Sequence, residues 1–467
     1  MAKPVLEQVM QKLKYVFELV THKRIKTNLL VALPFWIASL LTGLIAVGYA
    51  RLFSYMEQLS AVIFRWQAWS IFLLAPICIV LAWWMVQKWA PNARGSGIPQ
   101  VMAAIELATP GQNHKVDRLL GFRIILVKIA SSLMMVLGGA AIGREGPTIQ
   151  IAGSIFRIIN KWTPAKWPKI AKRSFIMTGA AAGLAAAFNT PLGGVVFAVE
   201  ELTRTHIRFF RTALFSAVII AGLTAQGILG PYLYLGYPKV SDLRFSIFLG
   251  VILVALVAGL GGALMSKLIL RVMRWRATFT RQNHAVFYVL GAALLLAAIA
   301  FFINSQILGS GKELMAHVLF TDEKHVSWHT ALLRMLGIVI SFSTGAAGGV
   351  FAPSLAAGAG MGAYLSGLLD LAGANANIII LSGMVGFLTG VTRTPFTSAI
   401  LVLEMTDRHS VIFHLMLAAL VANLAALLVD RHSFYDHLKR QYLREINVEK
   451  KEPPTDGNAA EPPDAIR

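Results

Sequence analysis

Nine apolar stretches recur along almost the whole chain, at about Leu29–Ala50, Ser70–Trp84, Phe122–Ala141, Phe209–Leu229, Ser246–Leu270, Val286–Phe302, Leu332–Ser343, Ile378–Val391 and Val411–Val429. Some reach the roughly 20 residues that cross a bilayer, while others are short or broken by Gly and Pro. Lipid offers no partner to a backbone N–H or C=O, so segments of this kind cross it as helices that close their own hydrogen bonds. Only 14% of the residues are charged and the mean hydropathy is +0.63, whereas a soluble domain carries about a quarter charged residues. Nothing between Leu29 and Val429 is polar for long enough to form a separate soluble domain. The expected fold class is therefore an all-α polytopic membrane protein. Residues 28–445 form its membrane domain, 1–27 a cytoplasmic N-terminal segment, and 446–467 a polar, disordered cytoplasmic tail marked by Pro453, Pro454, Pro462 and Pro463.

The net charge of +20 follows from topology rather than from nucleic acid. Lys12, Lys14, Lys23, Arg24 and Lys26 precede the first apolar stretch; Arg157, Lys161, Lys166, Lys169, Lys172 and Arg173 fill one loop. Arg204, Arg208 and Arg211 mark a second, Lys267, Arg271, Arg274, Arg276 and Arg281 a third, and Arg431, Lys439, Arg440 and Arg444 follow the last stretch. Basic residues concentrate on the cytoplasmic side of membrane proteins, which puts both termini inside. The start lacks the short apolar core and small-residue cleavage site of a signal peptide. The single cysteine, Cys78, sits in an apolar run and excludes an intrachain disulfide framework or a Cys-rich metal site.

Within this lipid-adapted chain, Gly143-Arg144-Glu145-Gly146-Pro147 sets a carboxylate between glycines. An intramembrane carboxylate is costly and marks an ion path, a proton relay or a counter-charge. The segment also repeats. Gly143 to Thr148 matches Gly349 to Ser354 at an offset of 206; Thr178-Gly179 through Glu200 matches Ser382-Gly383 through Glu404 at an offset of 204. Two related halves, about 28–236 and 245–445, each with a Gly/Pro-interrupted apolar segment in a corresponding place, point to the substrate site of a transporter fold. A third such segment is Gly95-Ser96-Gly97-Ile98-Pro99. Pro suits the first helical turn, so all three read as helix N-termini at membrane depth. Helix N-termini offer unpaired N–H groups and partial positive charge, and Ser96 adds a hydroxyl; a cation site would instead present carbonyls or several carboxylates. The pattern favours a small anion.

These segments resemble the three signatures of the CLC chloride channel and transporter family. The resemblance extends through Thr178–Glu201, Thr392–Asp407 and a tyrosine after the last apolar stretch, and covers about residues 30–440 in order. It implies the CLC fold with two inverted-topology repeats and broken, tilted helices, and a homodimer with one anion path per subunit. The short polar tail is expected to hold no CBS domains, and no cofactor is expected. The resemblance further implies that Ser96 and Tyr435 bind the anion through hydroxyls and Val350 and Phe351 through backbone N–H groups. Tyr442, close by, is the alternative tyrosine. Ser96 is the serine associated with chloride preference, with bromide or nitrate as further candidates. Gln100 replaces the glutamate common after this proline, a change expected to be neutral for transport. Glu145 is implied as the external gating and proton glutamate.

Glu201 separates exchanger from channel. It lies three residues before Arg204, near the inner surface, whereas Glu145 lies 12 residues before Arg157, about 18 Å of helix. Two carboxylates at different depths suit proton transfer from both sides, and in the family the second glutamate of the pair matches the internal proton-transfer residue of exchangers. Glu200, matched by Glu404, reads as structural, as do Lys128 and Arg144. The expected function is antiport of chloride against protons in a bacterial inner membrane. The alternative is a passive voltage- or pH-gated chloride channel. An intramembrane enzyme is disfavoured, since the chain has no His-Glu-x-x-His run and few intramembrane His or Asp.

Overall fold

The computed structural model describes residues 23–448 except 165, 169, 203–210, 231–232 and 242–244. Most of the N-terminal segment, the tail from 449, and the Arg204 and Arg208 used above to judge depth lie outside the described residues.

The helices are α1 (Lys23–Trp66), α2 (Ile71–Trp89), α3 (Ile98–Leu107), α4 (Phe122–Leu137), α5 (Glu145–Trp162), α6 (Lys172–Phe188), α7 (Pro191–Phe197) and α8 (Arg211–Leu229) in the first half. The second half holds α9 (Ile247–Arg276), α10 (Gln282–Phe302), α11 (Lys312–Phe320), α12 (Trp328–Ser343), α13 (Phe351–Leu368), α14 (Gly373–Thr392), α15 (Pro395–Thr406), α16 (Ile412–Leu427) and α17 (Phe434–Val448). Among the described residues eight helices are long and apolar enough to cross a membrane. The first apolar stretch is part of a much longer helix: α1 runs for 44 residues, about 66 Å. The stretch at Leu332–Ser343 is the end of the shorter α12.

Burial sorts the helices into two layers. In α5 every residue from Glu145 to Arg157 is buried, and in α14 every residue from Ala376 to Thr392. Outer helices instead show Leu44, Ile77, Leu223, Leu249, Leu295 and Leu424 to the surroundings, as lipid-facing helices should. Small residues let the inner helices touch through their backbones: where α13 crosses α14, a Cβ on Gly358 would overlap the Gly383 carbonyl and one on Gly383 the Gly358 carbonyl.

The two halves are inverted copies, and the contacts between them say so. Gly143 and Gly349, equivalent positions, exchange backbone hydrogen bonds at 2.8 and 2.7 Å in an antiparallel bridge. Equivalent residues pair this way only about a local two-fold axis, so α5 and α13 leave the bridge in opposite directions. A second reciprocal contact uses the repeated carboxylates. Glu200 accepts from Phe396 N (3.1 Å), Thr397 N (2.7 Å) and the Thr397 hydroxyl (2.7 Å), capping α15. Glu404 accepts from Leu192 N (3.0 Å) and Gly193 N (2.6 Å), capping α7. Each half thus neutralises the unpaired N–H groups of the other half's helix.

Candidate functional site

Helices α3, α5 and α13 begin at Ile98, Glu145 and Phe351, the three starts expected from the sequence. They converge because glycine permits it. A Cβ on Gly146 would overlap the Ser96 hydroxyl, and one on Gly349 would sit 2.9 Å from the Gly143 carbonyl and 3.1 Å from Gly146 N. Gly97, at φ +107°, turns the chain into α3.

Tyr435 reaches this point from the far end of the chain. Ser433 Oγ accepts from Asp436 N at 3.0 Å, an N-cap that starts α17, and the Tyr435 ring stacks on Phe351 with centroids 6.2 Å apart and planes 12° apart. Ser96 is 1% and Tyr435 0% exposed. Their hydroxyls face one another, yet neither has a partner in hydrogen-bond geometry. An orphaned buried hydroxyl costs about 1–3 kcal/mol, so two facing each other beside a helix N-terminus describe a seat for an acceptor. Val350 and Phe351 stand at the first turn of α13, where N–H groups have no intrahelical acceptor. Tyr442 is engaged elsewhere: its hydroxyl accepts from Gln100 Nε2 at 3.0 Å and Arg94 Nε at 3.3 Å. Gln100 also donates to the Asn92 and Arg94 carbonyls. Arg94, which pairs with Glu445, lines a narrow cleft together with Gln100, Tyr442 and Ser96.

The buried cations Lys128 and Arg144 are each held by backbone carbonyls, and Arg144 also acts electrostatically on Glu145. Lys128 is completely buried, with its ammonium on the carbonyls of Ala93 (2.7 Å) and Gly95 (2.8 Å). Arg144 donates to the Ala50 carbonyl at 2.8 Å. An anion here would be held by hydroxyls and backbone dipoles, tightly enough to enter and weakly enough to leave.

Two carboxylates, Glu145 and Glu201, act electrostatically on Tyr435. Glu145, the first residue of α5, is 1% exposed. Its carboxylate is directed at the N–H groups of its own residue and Ala352, and its Oε2 lies against Gly143, where a Cβ would overlap it. The carboxylate therefore already stands at the N-terminus of α13 as an anion would. Glu201 lies in a single π-helical turn, Ala198–Leu202, a local form frequent at functional sites. Its side chain is half-buried, with Oε1 sealed from solvent and without a partner. Asp436, Glu200 and Lys439 are the charges acting on it. Lys439, which sequence reasoning counted only as a topological charge, pairs with Asp436 at 3.3 Å and Glu106 at 3.7 Å. Its role was hidden because Glu106 and Glu201 lie far from it in the chain, although Asp436 is three residues away.

Inverted repeats, interrupted helices and a buried site where they meet define a polytopic transport protein of the broken-helix kind. Residues 78–427 match the family model described as voltage gated chloride channel, and the chain belongs to that family. It is 28% identical over 448 residues to the H(+)/Cl(-) exchange transporter ClcA of Citrobacter koseri, covering 92% of each chain. The ClcA of Salmonella newport shows the same identity and coverage. Among solved structures, a slow cyanobacterial Cl-/H+ antiporter superposes with a TM-score of 0.78 at 24% identity, over 90% of this chain and 99% of the other. A CLC-type fluoride/proton antiporter gives 0.72 at 20% identity, over 87% and 97%. These likenesses show the fold.

Proposed function

We propose that the protein exchanges chloride for protons across the membrane. The observation that carries this reading is the Glu145 carboxylate seated at the start of α13, beside two buried hydroxyls without partners. Like charges exclude one another from one site. Protonating Glu145 frees its seat for an anion, and loss of the anion lets the carboxylate recharge and return. Ser96, Tyr435 and the N–H groups of Val350 and Phe351 hold the anion. Glu201 passes protons between this centre and the cytoplasm, in keeping with its half-exposed position beside Lys439. The exchange-transporter names of the bacterial relatives support the same reading.

The test is simultaneous recording of chloride and proton flux from liposomes. The intact protein should move protons uphill when driven by a chloride gradient. Glu145→Gln should keep chloride flux and lose coupled proton movement, and Glu201→Gln should do likewise. Proton pumping that persists in Glu145→Gln would refute the assigned mechanism, and chloride flux without proton flux in the intact protein would make it a passive channel.

A further inference from the structure

The Gly95-Ser96-Gly97 turn has a twin that the central site does not use. Gly309-Ser310-Gly311 repeats the residue types, and its glycines take φ +67° and +84° against +61° and +107° in the first turn. Each turn opens a helix, α3 at Ile98 or α11 at Lys312. Each is also held from behind by a fully buried cation. Arg334, 206 positions after Lys128, donates to the carbonyls of Gln306 (2.9 Å), Leu308 (2.7 Å) and Gly309 (2.9 Å), much as Lys128 does to Ala93 and Gly95. The first glycine N–H of each turn is also taken, by the Ala346 carbonyl (2.8 Å) at Gly95 and by the Gly139 carbonyl (3.1 Å) at Gly309, which leaves the serine as the residue that faces the other side.

In the first half that other side is the anion seat. In the second half a carboxylate is already there: Glu57 Oε1 accepts from Ser310 N at 2.6 Å and lies 2.7 Å from where a Cβ on Gly309 would stand. The turn opens into a cavity of about 370 Å³ whose charged and titratable lining is Glu57, Arg65, Lys312, Glu313, His317 and Arg334. Arg334 is 0% exposed and its Nε has no hydrogen-bond partner, an unmet donor on the wall of this cavity. Glu57 and Arg144 act electrostatically on both Lys312 and Glu145, so the cavity adjoins the gate.

We propose that this cavity is a second anion site, an antechamber for a monovalent anion of halide size, in which the Glu57 carboxylate occupies the seat at the Ser310 N–H. Anion and carboxylate compete there as they do at Glu145, and Lys312 and Arg334 supply the positive field. The proposal rests on the proposed function only for the size and charge of the ligand.

Bromide, located by anomalous diffraction, tests it. Crystals of Glu57→Ala should show bromide at Ser310 N in addition to any at the centre. The intact protein and Glu57→Gln, whose amide oxygen still accepts from Ser310 N, should show none at Ser310. In liposomes, half-saturating bromide on the Glu57 side should fall about tenfold in Glu57→Ala, as expected for removing a competitor worth one decade of affinity. Bromide at the centre but not at Ser310 in Glu57→Ala overturns the antechamber and leaves the central reading standing. Bromide at Ser310 but not at the centre does the reverse, and bromide at neither overturns both. Should Glu57→Ala not give monodisperse protein, Glu57→Thr carries the same expectation.

Discussion

Laid over one another, the two halves agree in what holds the chain and disagree at the candidate site. Lys128 and Arg334 brace equivalent turns, Glu200 and Glu404 cap equivalent helices, and Gly143 and Gly349 pair across the axis. At the positions of the two candidate glutamates the match ends. Where the first half has Glu145 at the head of α5, the second has Phe351 at the head of α13; where the first has Glu201 after its capping glutamate, the second has Met405. A role served equally in both halves belongs to the frame. A costly ionisable group present in one half alone has no such explanation, and this singles out Glu145 and Glu201 more firmly than burial does.

The largest effect should come from the buried cations. Lys128→Met and Arg334→Met each leave two or three carbonyls unpaired inside the protein. Breaking a buried charged contact costs about 3–5 kcal/mol. Thermal unfolding in detergent should show similar losses for both, and a half that tolerates the change would break the equivalence. Next come the glycines that turn into α3 and α11. Gly97→Ala would bring a Cβ to 2.8 Å from Gln150 Cβ and 2.9 Å from the Gly146 carbonyl, and Gly311→Ala would overlap Ala356. Both also sit at positive φ, so each should lose about 2–3 kcal/mol. Anion flux should suffer more in Gly97→Ala, because that turn carries Ser96.

The capping pair sharpens the contrast further. Glu200→Gln and Glu404→Gln should each cost about 1–2 kcal/mol, the worth of charge-assisted bonds to backbone N–H groups, and both should leave proton coupling intact. Glu201→Gln, one residue away, should do the opposite, with little change in unfolding temperature and loss of coupling. Equal loss of coupling in Glu200→Gln would remove the distinction between frame and chemistry.

The sequence made the Glu145 and Phe351 turns legible because Gly and Pro survive in both at nearly one offset. The equivalence of the Gly95 and Gly309 turns escaped notice for two physical reasons. The first half inserts extra residues between α3 and α4, including a one-turn helix at Val116–Leu119, which moves the offset to 214. Lys312 and Glu313 also replace Ile98 and Pro99, because α11 starts against a polar cavity rather than in the core. The inversion itself was invisible in the sequence, since it resides in hydrogen bonds between residues 206 positions apart. The resemblance favoured Tyr435 over Tyr442 on one short segment, and α17 turns the first toward Ser96 and the second toward Arg94.

Helix α17 has no twin, and the turn before it shows how an unpaired element is secured. Asp430 Oδ1 accepts from His432 N at 2.9 Å, Oδ2 lies 3.0 Å from His437 Nε2, and the Asp430 carbonyl accepts from Arg393 at 3.2 Å. Burial alone would raise the Asp430 carboxyl, but the His432 N–H and the His437 ring outweigh it and hold the group below its ordinary 3.8. A carboxyl lowered by folding stabilises the native state above its unfolded pKa and loses that contribution as pH falls through the folded value. Asp430→Asn should therefore cost a few tenths of a kcal/mol to about 1 kcal/mol at pH 7, as partly exposed pairs do. The difference from the intact protein should shrink as pH drops below about 4. Because α17 carries Tyr435, the same variant should loosen halide binding at the centre without touching proton coupling. A loss of coupling would mean that the turn is part of the proton path rather than a fastening for the helix.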